Sequence, residues 1–121
     1  GLAEALKHGA ISDEDYFEAI AAAGAALLEP GAAASPAMLA LIERSVAIKS
    51  AVVNADPREQ GERKILNFGH TLGHAIEAES GYALRHGEAV GIGMALEATL
   101  GEQLGVTAAG TAERIERVLL D

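Results

Sequence analysis

The sequence predicts an all-α fold, and three observations carry that prediction. Half of the 121 residues are apolar and many of these are Ala or Leu, both strong helix formers. The apolar residues of each segment recur at helical rather than strand spacing. The glycines Gly87, Gly91 and Gly93 follow no strand, so they form no dinucleotide fingerprint and read instead as sites of close helix packing. About five or six helices in one domain, residues 1–121, are expected, with no substantial sheet.

The elements follow in order. Leu2 to His8 reads as a short helix that Gly9 closes. Ser12 has the character of an N-cap, with Asp13, Glu14 and Asp15 favourably placed against the helix dipole. Phe17, Ile20, Gly24, Leu27 and Leu28 continue that helix as a stripe until Pro30-Gly31 stops it. Ser35-Pro36 is a second start signal, with Ser as the cap and Pro in the first turn. Met38, Leu41, Ile42, Val46, Ile48, Val52 and Val53 then mark a long helix. Asp56 to Lys64 holds Pro57, Gly61 and a run of charge without periodicity, and reads as a loop. Leu84 to Leu104 is apolar almost all round between Ala89 and Leu100, which predicts a central, buried helix that Gly105 ends. Ala108 to Leu120 is a last amphipathic helix, with Ile115, Val118 and Leu119 on one face and Glu113–Arg117 as a surface pair.

Composition narrows the function. The formal net charge of −9 argues against nucleic acid, which needs Lys and Arg to displace its counterions. An anionic ligand must then meet a local cluster of basic residues, because the average field repels it. There is no Cys, so no disulfide is possible and nothing points to an oxidising compartment. No apolar run has the length of a membrane span, and no charged leader precedes an apolar stretch, so a cytoplasmic location is expected. Two Tyr, two Phe and no Trp leave the core to aliphatic side chains and close backbone approach. Gly1-Leu2-Ala3-Glu4 begins without Met inside an apparent helix, and Val118 to Asp121 stops without a terminator. Both ends read as cuts in a longer chain.

Three of the four histidines, His70, His74 and His86, lie in one short region. Four residues turn a helix through about 400°, so His70 and His74 share a face roughly 40° apart. This spacing suits two ligands on one metal, and equally one ligand beside one acid–base group. A carboxylate commonly completes such a set, and Glu4, Glu59, Glu77 and Glu88 are candidates that spacing cannot separate. Glu77, three residues after His74, is the simplest choice on helical geometry. Gly69 and Gly73 each cost a helix about 1 kcal/mol relative to Ala, so something must approach closely there.

The run Asn67-Phe68-Gly69-His70-Thr71-Leu72-Gly73-His74-Ala75-Ile76-Glu77, followed by His86-Gly87-Glu88-Ala89-Val90-Gly91-Ile92-Gly93-Met94, closely resembles the signature of 3-dehydroquinate synthases. Gly1 to Lys7 resembles the opening of that family's C-terminal domain, and Lys49, Glu59 and Arg63 match its polar positions before Asn67. The resemblance implies that Glu4, His70 and His86 are metal ligands, for zinc or cobalt, and that Glu77 is not. It places His74 beside the metal, facing substrate. Asn67 would hold the phosphate end, Lys49 and Arg63 the substrate carboxylate, and Lys7 and Glu59 would line the pocket, with His74, Lys7 and Glu59 as the catalytic set. The implied reaction, a step of the shikimate pathway, converts 3-deoxy-D-arabino-heptulosonate 7-phosphate to 3-dehydroquinate and phosphate, with NAD as hydride carrier.

The family binds NAD through an N-terminal α/β domain that nothing in these residues matches. The chain is therefore expected to be a C-terminal helical part of such an enzyme, inactive alone, and homodimeric in its full length. Three other readings compete. Another sugar phosphate cyclase would not need the pair Lys49 and Arg63. An iron- or zinc-dependent alcohol dehydrogenase of related fold would carry a different motif pattern. A non-catalytic metal-binding helical module is the third.

Overall fold

The computed structural model describes residues Gly1–Leu120. Asp121, the last residue of the unterminated end, lies outside the described residues. Six α-helices and three 3-10 segments make up the fold, with no strand among the described residues. The helices are α1 (Leu2–Ser12), α2 (Glu14–Ala23), α3 (Pro36–Ala55), α4 (His70–Glu79), α5 (His86–Gln103) and α6 (Thr111–Leu120). The all-α prediction holds. By packing, the chain falls into two compact units: an N-terminal unit, Glu4–Leu66, and a C-terminal unit, Gly1–Ala3 with the chain from Asn67 onward.

In the N-terminal unit, Gly9 does not end α1, which runs on to Ser12. A Cβ on Gly9 would lie 2.8 Å from the Phe17 backbone, so the glycine permits a close crossing of α1 by α2. The cap of α2 is Asp13 rather than Ser12: Asp13 Oδ1 accepts from the Tyr16 N–H at 3.0 Å, while Ser12 Oγ donates back to the His8 carbonyl. Among neighbouring candidates, the acceptor-only carboxylate took the cap and the hydroxyl closed the preceding helix. Ser35 caps α3 as expected, accepting from the Met38 N–H at 3.1 Å with Pro36 in the first turn. Of the stripe after Asp13, Phe17, Ile20 and Leu27 are buried, but Gly24–Leu28 winds as a 3-10 segment and leaves Leu28 exposed. On α3 only Leu41 and Ile48 are buried, and Ile42 and Val46 face outward.

The C-terminal unit is organised by α5. Val90, Met94 and Ala98 are completely buried, as predicted, on one side of the helix. The other side differs from the prediction: Ile92, Leu96 and Leu100, four residues apart, are each about half exposed. A helix apolar all round predicts burial all round, yet its neighbours leave the Ile92, Leu96 and Leu100 stripe uncovered.

Close backbone approach holds α4 on α5. A Cβ on Gly73 would sit 3.1 Å from the Ala89 carbonyl oxygen, and one on Gly93 would run into the Gly69 carbonyl oxygen. Gly69 is not inside a helix, as the sequence reading had it. It immediately precedes α4 with φ +78°, a left-handed conformation in which a Cβ is strained. The residues just before α4 and α6, Gly69 and Gly110, have no side chain with which to cap the first N–H groups. Helix α5 supplies both caps. Glu97 accepts from the Gly69 and Leu72 N–H groups at 2.8 and 3.1 Å, and Glu102 accepts from the Ala112 N–H at 2.8 Å. Ile115 of α6 is fully buried, Leu119 lies over Gly91, and Arg117 pairs with Glu113 at 3.0 Å as expected.

Candidate metal centre

The packing of α4 on α5 brings three imidazoles together. His70 is the first residue of α4, His74 stands one turn on, and His86 is the first residue of α5. One nitrogen from each ring lies within 4.8 Å of the others. The ring centroids are 5.4 Å apart for His70–His74, 5.5 Å for His70–His86 and 5.8 Å for His74–His86. These spacings fit convergent ligand atoms around one small cation. Imidazole nitrogen is a donor that zinc and neighbouring divalent metals accept readily, so the residues present fit such an ion.

The three rings are held differently. His70 Nδ1 is 3.3 Å from the Phe68 carbonyl oxygen, and His86 Nδ1 is 3.2 Å from Glu77 Oε2. Metal-ligating histidines usually donate the second ring N–H to such an acceptor, which fixes the tautomer and turns the other nitrogen to the ion. His74 has no hydrogen bond to its ring among the described residues, and it is exposed.

The acidic candidates separate by their partners. Glu88 Oε2 accepts from the Arg85 N–H at 2.8 Å, a reach back to the start of α5 that completes the helix cap. Glu77 faces the Nδ1 side of His86. Glu4 lies on α1 in the N-terminal unit, where its Oε2 accepts from Lys7 Nζ at 2.7 Å, and Lys7 itself is buried. A buried ammonium needs such a partner.

The remaining predicted site residues lie on and after α3. Lys49 is exposed on that helix. Glu59 is exposed in the following loop at φ 53°, an uncommon conformation for a non-glycine residue. The loop is more than solvated charge. The Asp56 carboxylate accepts from the backbone N–H groups of Gln60, Gly61 and Arg63 at 2.9, 2.7 and 3.2 Å. These bonds, led by those from Gln60 and Gly61, hold the Asp56 carboxyl below the usual carboxylate range. Arg63 Nη1 donates to the Pro57 carbonyl at 3.2 Å, which orients the guanidinium and leaves further donors on it. Asn67, in the C-terminal unit, is exposed at the end of the 3-10 segment Glu62–Asn67.

Sequence reasoning missed Glu97, which fixes the start of the helix that carries His70 and His74. The signal was present. Glu97 is the one charged residue between Ala89 and Leu100, and a lone charge in an apolar helix requires a partner.

Comparison with known proteins shows the family of the chain. The family described as "3-dehydroquinate synthase C-terminal" matches residues 1–121. The chain is 46% identical over 128 residues to a 3-dehydroquinate synthase of Xanthomonas oryzae, covering all of this chain and 34% of the relative. It is 45% identical over 127 residues to that of Xanthomonas axonopodis, covering all of this chain and again 34% of the relative. It is 43% identical over 121 residues to that of Symbiobacterium thermophilum, covering 98% of this chain and 33% of the relative. The chain thus spans about a third of the length of these curated relatives.

Proposed function

Because the chain belongs to the 3-dehydroquinate synthase C-terminal family, we propose that it is the metal- and substrate-binding part of an enzyme that makes 3-dehydroquinate and phosphate from 3-deoxy-D-arabino-heptulosonate 7-phosphate. The observation that supports this reading best is the convergence of His70, His74 and His86 where α4 meets α5. Zinc or cobalt is the proposed metal and NAD the proposed hydride carrier. When bound, the metal polarises a substrate oxygen and NAD carries the oxidation and reduction. No residue of this chain is assigned to NAD.

His70 and His86 are the proposed metal-holding histidines, because their Nδ1 atoms are anchored. The resemblance adds Glu4 as the third ligand. His74, unanchored and exposed, is proposed to exchange a proton with substrate, a role in which ring mobility and solvent access help. Arg63 and Lys49 grip the substrate carboxylate, Arg63 with donors left over from its tie to Pro57. The resemblance assigns Asn67 to the phosphate end and Lys7 and Glu59 to the catalytic set. These few basic groups supply the local attraction that a chain of net charge −9 otherwise lacks.

No described helix is long and apolar enough to cross a membrane. A cytoplasmic homodimer is the proposed setting. The test is direct: incubate the whole protein with the substrate, NAD and zinc, and follow phosphate and 3-dehydroquinate together. Stoichiometric formation of both is expected. Turnover of a sugar phosphate lacking a carboxylate, with none of this substrate, would place the protein among the other sugar phosphate cyclases.

A further inference from the structure

Glu77 stands where the simplest reading of helix geometry put a metal ligand, yet its carboxylate meets a ligand's back. Glu77 Oε2 lies 3.2 Å from His86 Nδ1, and the Glu77 side chain is only 20% exposed. An ionised carboxylate has no proton to give, so the proton of this bond belongs to Nδ1. The lone pair of His86 is then on Nε2, the nitrogen left for a cation. We propose that Glu77 is a positioning residue of the metal centre, fixing the tautomer and orientation of His86. This rests on the reading of the histidine cluster as a metal site.

The arrangement has a structural logic. His86 is the first residue of α5, where a side chain has few neighbours from its own helix, and it is about half exposed. Left alone, its ring would sample several rotamers and both tautomers. Glu77 reaches it from α4, the helix that also carries His70, seven residues earlier and two turns away. One helix thereby presents one ligand and aims another. The negative charge also makes the His86 ring a stronger donor, as carboxylate–histidine–metal triads do. His70 obtains the same service from a backbone carbonyl, that of Phe68, which no substitution of a side chain removes.

The experiment is a metal titration of the whole protein, stripped and reloaded with zinc against a competing chromophoric chelator. Wild type is compared with Glu77→Ala, Glu77→Gln and, as a control, His86→Ala. Glu77→Ala is expected to weaken zinc binding by about 10–100-fold. Glu77→Gln, which keeps a neutral acceptor and loses the charge, is expected to fall between Ala and wild type. Nitrogen NMR of the metal-free protein supplies the second readout: His86 holds its proton on Nδ1 in wild type and loses that preference in Glu77→Ala. Should Ala prevent folding, the near-isosteric Gln variant decides alone. Zinc affinity within twofold of wild type in the folded Glu77 variants, with His86→Ala weakened, would overturn the role of Glu77 and leave the metal site standing. No loss in His86→Ala would instead overturn the metal site.

Discussion

The two units place their candidate residues by opposite means. In the C-terminal unit His70 and His86 sit at helix starts and His74 one turn on, and the helices are locked by backbone contact at Gly69, Gly73 and Gly93. In the N-terminal unit Lys49 extends from an exposed helix face, Glu59 lies on a loop and Arg63 in the 3-10 segment that follows it, and the Asp56 carboxylate holds the backbone of both stretches. The difference suits the two tasks proposed for these residues. A metal tolerates little error in ligand placement, which favours rigid elements with no side chain between them. A substrate carboxylate can be met by long, adaptable cations, so a loop held by a few hydrogen bonds serves.

The largest expected effect strikes the rigid contact. Gly93→Leu puts a side chain where the Gly69 carbonyl and Gly73 N–H already lie, and backbone cannot move aside as a side chain does. A loss of about 3 kcal/mol, the upper part of the usual overpacking range, is expected in denaturant unfolding. Gly61→Ala in the loop meets nothing within 4 Å and should stay within about 0.5 kcal/mol of wild type. Equal effects at the two positions would erase the distinction between the units.

Next comes the cap. Glu97→Ala frees the Gly69 and Leu72 N–H groups at the start of α4 and is expected to cost about 2 kcal/mol. Hydrogen exchange should show the loss concentrated in the first turn of α4. Protection changed evenly along the chain would argue that Glu97 acts on general stability and does not position the histidines.

The smallest expected effect sharpens the other side of the comparison. His8 is buried in the N-terminal unit with Nδ1 2.7 Å from Ser45 Oγ and, among the described residues, no hydrogen-bond partner for Nε2. Burial first, then the Lys7 charge, push its pKa below 6.5, while Glu4 pulls the other way. A histidine with a depressed folded pKa is neutral when folded and binds a proton more readily when unfolded. Its contribution is therefore intact above about pH 6.5 and is lost as pH falls from there toward the folded value. His8→Gln should flatten the decline in Tm between pH 7.5 and 5.5. An unchanged slope would mean that other groups set the acid sensitivity.

What the sequence made legible follows from range. The helices and the Ser35 cap rest on local periodicity and neighbours three residues away, and these were readable. The pairing of His70 with His74 is likewise helical spacing. The approach of His86 to both, the capping of α4 by Glu97 from 28 residues away and the contact of Gly9 with Phe17 depend on how helices cross. Periodicity carries no information about that crossing; the family resemblance stood in for it at the histidines alone. The misread cap at Ser12 shows the local limit, because two adjacent residues of capping type compete and only the chain path decides.

The central claim is that three convergent histidines divide their labour, two holding metal and one working beside it. The most direct measurement is zinc stoichiometry and turnover of the whole protein carrying His70→Ala, His86→Ala or His74→Ala, each purified in the presence of zinc. The first two should arrive stripped of metal. His74→Ala should keep near-stoichiometric zinc while turnover falls by about 10²–10⁴-fold, the usual contribution of an acid–base group. Metal lost equally from all three variants would make His74 a ligand and contradict the account.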